Sequence, residues 1–207
     1  MKKLLVATTN PAKLAEYRLL LGDVALEVIS LSDVAITEAP EETGETFAEN
    51  AMLKARFYFA RAGIATLADD GGLEVDALDG APGVRSHRWL GENGIDASDR
   101  ELAEEVVRRM RGVPVERRSA RIRAAVALVY REDGAVRESL AEAAIEGVIA
   151  ERVHPEIRRG FPYRAVLWLP ERGCYLGELG EKEEARISQR RKALEGLRGE
   201  LERLAKN

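Results

Sequence analysis

A single cysteine, Cys174, among 207 residues leaves no partner for an intramolecular disulfide and excludes a cysteine-rich zinc site. Histidine is almost as scarce, and His87 and His154 are far apart in the chain, without metal-ligand spacing. Aromatic residues make up only 5% and the basic residues are dispersed, so no stacking platform for a nucleic-acid strand is evident. Neither sign of charge dominates: 32 basic against 36 acidic side chains give −4. That balance argues against nonspecific duplex binding, yet it leaves room for a small anionic ligand in one basic pocket. No apolar run approaches membrane-spanning length. The opening MKKLLVATTN runs from a short apolar stretch into a polar turn without a cleavage-like region. It reads as a first strand, and the chain is expected to be cytoplasmic, with neither a membrane nor a nucleic-acid polymer as partner. There is no G-x-x-x-x-G-K-S/T loop and no G-x-G-x-x-G fingerprint. Ser86 and Ser188 lack the context of a nucleophile elbow.

What is present is a globular mixture, 45% hydrophobic and 33% charged, on a chain long enough for a substantial core. Leu4 to Ala7 reads as a buried strand, stopped by Thr8, Thr9, Asn10 and Pro11. Ala12 to Leu21 then has helical spacing, with Leu14, Tyr17, Leu20 and Leu21 able to share a face. Such a strand–turn–helix can hold phosphate on unpaired helix-start amides, with Lys13 adding charge; an ordinary solvated lysine explains Lys13 equally well. Ala25 to Leu31 reads as a second strand, and Thr46 to Ala60 is the clearest helix, ended by Gly63. Asn50 and Lys54 lie one turn apart on it and point the same way, while Glu49 with Lys54 reads as a surface pair.

Ile64 to Ala68 is expected to be a strand that stops at Asp69, Asp70, Gly71 and Gly72, with an extended run restarting at Leu73 to Val75. Ser98 to Arg111 reads as a helix, and Arg117 to Tyr130 with Ala135 to Ile149 as two strands joined at Glu132, Asp133 and Gly134. The arginines at 117, 118, 121 and 123 fit either a basic face or an edge strand. GFPYRAVLWL is a glycine-started loop feeding a strand, Pro170 to Gly180 is irregular, and Glu181 to Leu204 is one charged helix with interruptions at Gly196 and Gly199. The expected fold class is α/β, a mixed sheet flanked by helices and elongated into two lobes with the active-site cleft between them.

Two adjacent carboxylates followed by two glycines suggest metal-assisted chemistry more than a fold-stabilising turn. Thr8, Asn10, Lys13, Glu42, Asp69, Asp70 and Arg190 would form a coherent set if the fold gathers them. Glu42 and Asp70 suit Mg²⁺ in a nucleotide polyphosphate complex, and Lys13 could neutralise charge as it develops.

These residues resemble a known family. ATTNPAKLAE looks like the T-x-N-x-x-K phosphate signature of the Ham1/RdgB-like nucleoside-triphosphate pyrophosphatases, also called inosine triphosphate pyrophosphatases. EETGETFAENAMLKAR followed by ADDGGLEVDALDGAPGVRSHRWLG is similar to the family's central block, and further likeness lies in GFPYRAVLWLP and ELGEKEEARISQRRKAL. The resemblance implies a single ITPase-like domain over 1–207, with a second lobe formed largely by about 112–155. It implies Mg²⁺-dependent cleavage of ITP, dITP or XTP to the monophosphate and pyrophosphate, with Mn²⁺ as the alternative ion, and a homodimer. It assigns catalysis to Asp70 and Lys13, the metal to Glu42 and Asp70, and substrate or phosphate binding to Thr8, Asn10, Lys13, Lys54, Phe161, Tyr163 and Arg190.

The departures are concentrated. Gly71 stands where the family usually has serine, and Pro162 and Arg164 interrupt the usual G-F-G-Y-D. Glu184 falls near an expected lysine, and Ser188, Gln189 and Arg190 replace S-H-R. The altered positions Gly71, Arg164, Glu184 and Gln189 belong mostly to the end that holds base and sugar. The same chemistry on a different nucleotide is therefore the first alternative, and a nonhydrolytic nucleotide-binding scaffold the second. With both charges reversed, Arg164 and Glu184 are expected to restore an arginine–carboxylate contact of opposite polarity.

Overall fold

The computed structural model describes residues 1–91 and 97–206. Its strands are β1 (Lys2–Val6), β2 (Leu26–Ile29), β3 (Thr66–Val75), β4 (Ser119–Glu132), β5 (Ala135–Ile149), β6 (Leu167–Leu169) and β7 (Cys174–Tyr175). Its helices are α1 (Pro11–Leu20), α2 (Phe47–Ala62), α3 (Asp99–Arg109), α4 (Glu181–Ile187), α5 (Gln189–Gly196) and α6 (Arg198–Lys206). The strands form one sheet in the order β2-β1-β3-β4-β5-β6-β7. β1 runs parallel to β2 and β3, whereas β6 is antiparallel to β5 and β7, so the α/β sheet is mixed as expected.

Two compact units share the chain, and β3, β4 and β5 each give residues to both. One unit takes Met1–Asp70, Ala124–Ala143 and Gln189–Asn207; the other takes Gly71–Arg123 and Ala144–Ser188. In the first, Leu4 and Val6 of β1 pack with Tyr17, Leu21, Leu67, Val126, Leu128, Leu194, Leu197 and Leu201. In the second, Leu73 and Val75 pack with Leu102, Val106, Met110, Ile122, Ile149, Val166, Leu167 and Leu176. Each fully buried leucine or valine contributes on the order of 1.5–3 kcal/mol, so either unit has a core of its own. Among the described residues no helix is long and apolar enough to cross a membrane.

Local chemistry explains the best-defined helix. Thr46 and Glu49 form a reciprocal capping box at the start of α2, and Gly63 closes it at φ 64°, a left-handed conformation that glycine adopts without strain. Phe47, Ala51, Ala55, Tyr58 and Phe59 supply its buried stripe. Glu49 accepts from the Glu45 and Thr46 amides and so acts as a cap, where the sequence suggests a surface pair with Lys54.

The structure corrects several expectations. β3 does not stop at Asp69 but continues through Asp70, Gly71 and Gly72 to Val75. Gly72 is required there by close packing: a Cβ would lie 1.9 Å from the Ser86 Oγ, which accepts from the Leu73 amide and donates to the Gly83 carbonyl. β4 is an inner strand between β3 and β5, so an edge does not explain Arg121 and Arg123, while Arg117 and Arg118 lie in the turn before it. Arg118 is buried and donates to the carbonyls of Met110, Val113, Ile149 and Ala150, which replace water around its charge. Arg121 pairs with Asp76 at 2.6 Å, and Arg123 with Glu74 at 3.2 Å. The irregular stretch after Pro170 contains β7, and the terminal helix is three helices, broken at Ser188 and, as expected, after Gly196, whereas Gly199 lies within α6.

Candidate active site

Strand alternation sends the side chains of Asp69 and Asp70 in opposite directions from β3, and each has its own ion-pair partners in the first unit, although Lys13 and Lys54 each also act on the other's carboxylate. Both are largely buried, at 3% and 8% exposure. Asp69 Oδ2 accepts from Lys13 of α1 at 3.2 Å and from Arg190 Nε of α5 at 3.0 Å. Arg190 also reaches Glu16 at 3.2 Å. Burial alone would raise the Asp69 carboxyl, but Lys13 and Arg190 together hold it well below the usual carboxylate range. Its other oxygen, Oδ1, is buried with no hydrogen-bond partner among the described residues. Burial lowers the Lys13 ammonium despite Asp69, so Lys13 is no solvated surface lysine.

The α1 start differs from the unpaired phosphate cradle considered above. The Asn10 side chain accepts from the Ala12 and Lys13 amides at 2.9 and 3.3 Å, because asparagine at an N-cap satisfies the first-turn donors. The Thr8 Oγ1 in turn accepts from the Asn10 amide at 3.2 Å.

On the other face, Lys54 Nζ donates to Asp70 Oδ1 at 2.8 Å and to Glu42 Oε1 at 3.0 Å. Burial disfavours the Lys54 charge, but Asp70 and Glu42 outweigh it and hold its pKa above the ordinary value. Burial raises the Asp70 carboxyl, and Lys54 does not fully offset it. Asn50, one helical turn before Lys54, donates to Asp70 Oδ2 at 3.5 Å.

This set fits a divalent cation. Two carboxylates from separate segments already converge on one positive centre, the Lys54 ammonium. Among the described residues, Lys54 is the one positive group in ion-pair contact with both Glu42 and Asp70, so this cluster carries a negative charge in excess, while Lys13 and Arg190 balance Asp69 and Glu16. No group of three or more His, Cys, Asp or Glu residues among those described surrounds a single point. A site with two protein carboxylates, completed by phosphate and water oxygens, is characteristic of Mg²⁺.

Other expected site residues lie in the second unit. Arg164 and Glu184, each 5% exposed at the side chain, form an ion pair, and the second Glu184 oxygen takes Arg158. The Arg164 guanidinium lies 3.6 Å from the Phe161 ring centroid, a cation–π contact. The Tyr163 hydroxyl donates to the Ser86 carbonyl, and burial raises its pKa. Gly71 follows Asp70 within β3 and is half-buried. Gln189 opens α5 in the first unit, its Oε1 buried without a hydrogen-bond partner among the described residues.

Residues 4–200 match the family described as Ham1. The chain belongs to the Ham1 family. It is 42% identical over 197 residues to a dITP/XTP pyrophosphatase of Geobacillus kaustophilus, covering 95% of this chain and 93% of that one. A dITP/XTP pyrophosphatase of Haemophilus influenzae is 41% identical over 203 residues, covering 97% and 99%. Among solved structures, a HAM1 protein from Coxiella burnetii is 34% identical with a TM-score of 0.82, covering 97% of this chain and 98% of that one.

Against the Ham1 pattern, the structure brings Glu42, Lys54 and Asp70 together, and Lys13 and Arg190 around Asp69. It also pairs Arg164 with Glu184, the contact that sequence could only suggest. Sequence reasoning left two members out of its assigned roles. Asp69 was visible as half of the acidic pair, but nothing local tells a buried ionic hub from a strand-end cap. Asn50 was visible as a neighbour of Lys54 on the helix, though its contacts with Gly44 and Asp70 depend on the fold.

Proposed function

We propose that this Ham1-family chain hydrolyses noncanonical purine nucleoside triphosphates, dITP, ITP and XTP, to the monophosphate and pyrophosphate. The observation that carries the reading is the Lys54 ammonium held jointly by Glu42 and Asp70, with Lys13 on the adjacent Asp69. The names of the dITP/XTP pyrophosphatases to which it is similar supply the substrate class. Glu42 and Asp70 would hold Mg²⁺, with Mn²⁺ as the alternative. When bound, the ion supplies positive charge opposite the phosphate oxygens and makes water more acidic.

The chain's own groups then divide the work. Asp70, whose proton affinity burial raises, takes the proton of the attacking water. The water oxygen bonds to the α phosphorus, the bond between the α and β phosphates breaks, and pyrophosphate leaves with the electron pair. Lys13 and Lys54 offset the negative charge that gathers on the phosphate oxygens, in surroundings where water does little to screen them. Thr8 and Asn10 hold the start of α1 in shape beside Lys13. The reading includes a cytoplasmic homodimer. Pyrophosphate release measured across ITP, dITP, XTP and the canonical triphosphates with Mg²⁺ tests it; no release from any of them would overturn it.

One observation favours a second reading, the same chemistry on a differently decorated base. The Arg164–Glu184 pair is closed, with both carboxylate oxygens engaged by guanidinium groups and Arg164 stacked on Phe161. Buried groups already satisfied in this way do not read a base edge, so base selection would rest on other residues. Strong preference for ITP or XTP in the same panel would reject this reading.

A further inference from the structure

Asn50 is fully buried, and its side-chain amide has a defined orientation. Its Oδ1 accepts from the Gly44 amide at 2.8 Å, which only the oxygen end can do. The Nδ2 end therefore presents its hydrogens to the Gly44 carbonyl at 3.4 Å and to Asp70 Oδ2 at 3.5 Å. Gly44 lies two residues beyond Glu42, so one amide links the segment carrying Glu42 to the carboxylate of Asp70. The approach is close enough to dictate the residue at 44. A Cβ there would fall 2.6 Å from Asn50 Oδ1 and 2.8 Å from the Glu49 Cβ, although the Gly44 backbone has no positive φ that would itself require glycine.

Lys54 joins the same two carboxylates, but through a flexible, charged side chain that a divalent cation would compete with. Asn50 is neutral and lies within α2, so a bound cation would not compete for its link as it would for that of Lys54. We infer that Asn50 is a positioning residue that sets the separation of Glu42 and Asp70, and with it the affinity of the site for a divalent cation. The inference rests on the proposed role of those two carboxylates. It assigns Asn50 no contact with substrate or with the ion.

The test uses Mn²⁺ alone, titrated with the full chain and followed by the electron paramagnetic resonance of the free ion, without nucleotide. Asn50→Leu removes the donors and the acceptor at similar volume. Gly44→Ala displaces the amide from the other side. Each is expected to raise the Mn²⁺ dissociation constant about tenfold or more, as loss of an outer hydrogen bond to a metal-holding carboxylate does. The circular dichroism spectrum and cooperative unfolding should be retained. The double variant should bind no more weakly than the weaker single, since both changes break one link.

A merely structural role for Asn50 predicts lower thermal stability with unchanged Mn²⁺ affinity in the folded protein. Should Asn50→Leu fail to fold, Gly44→Ala decides alone. Glu42→Gln and Asp70→Asn are titrated alongside. If these two lose Mn²⁺ while Asn50→Leu and Gly44→Ala bind within about twofold of the parent, the positioning role is overturned and the cation site stands. If Glu42→Gln and Asp70→Asn also bind as the parent does, the cation-site reading itself is overturned, and the role of Asn50 falls with it.

Discussion

Asp69 and Asp70 are consecutive residues of one strand, yet their carboxyls are driven in opposite directions. Asp69 is depressed because Lys13 and Arg190 overcome its burial, whereas Asp70 is raised because burial outweighs Lys54. The alternation of side chains along β3 makes this possible, since neighbours on a strand face different packing partners. One carboxylate is thereby kept ionised as an anchor for two cations, and its neighbour holds a proton more readily.

Replacing the neighbour tests that division. Asp70→Asn keeps the shape and removes the proton acceptor, so kcat should fall on the order of 10²–10⁴-fold in a pyrophosphate-release assay. Thermal unfolding should stay cooperative. A variant that turned over like the parent would remove Asp70 from the reaction.

Asp69→Asn should act on stability. Uncoupling a buried carboxylate from Lys13 and Arg190 should cost about 3–5 kcal/mol at pH 7 in urea unfolding. The sign follows from linkage: a carboxyl with a depressed folded-state pKa stabilises fully above its unfolded value near ~3.9, and the contribution drains away as pH falls below it. The gap between parent and Asp69→Asn should therefore narrow at acid pH. An equal gap at pH values well above and well below ~3.9 would contradict this assignment.

Lys54→Met should move the acid limb of the kcat/KM profile to higher pH. The ammonium favours the charged form of Asp70, so its loss leaves burial and Glu42 to raise that carboxyl further. A profile with an unmoved acid limb would show that Asp70 does not set it.

Glu184→Gln should destabilise far more than Arg158→Gln. The first leaves Arg164, 5% exposed at the side chain, without its carboxylate, at a cost of about 3–5 kcal/mol. The second removes a guanidinium 35% exposed at the side chain, and about 1 kcal/mol or less is expected. Urea midpoints for the two variants decide the matter; equal losses would mean that Glu184 answers to Arg158 as much as to Arg164.

Several residues that the structure gathers at the candidate site were legible in the sequence because short local patterns carry them. Thr8 to Lys13, Glu42 to Lys54 and the acidic pair each announce their residue types within one turn or strand. The family resemblance related them, and the fold brings Glu42, Lys54 and Asp70 within ion-pair distance. Less legible was anything that depends on what a residue packs against. Adjacent glycines after Asp70 suggested a strand end, yet Gly72 is there to admit Ser86, thirteen residues beyond Leu73. Arg118 fitted either a basic face or an edge strand and is instead enclosed by four backbone carbonyls, two of them at and just beyond the end of β5, 31 and 32 residues on.

By itself the sequence determined the strand–turn–helix start, the helix ended by Gly63 and the acidic pair, because spacing and residue type are local properties; the charge reversal at 164 and 184 showed only against the family pattern. Only the tertiary structure decided that β3 runs unbroken through that pair, that Asp69 anchors Lys13 and Arg190 while Asp70 meets Lys54, and that Arg164 closes on Glu184. Those outcomes depend on which distant side chains share a buried space, where the low dielectric strengthens each pairing and makes an unpaired charge costly.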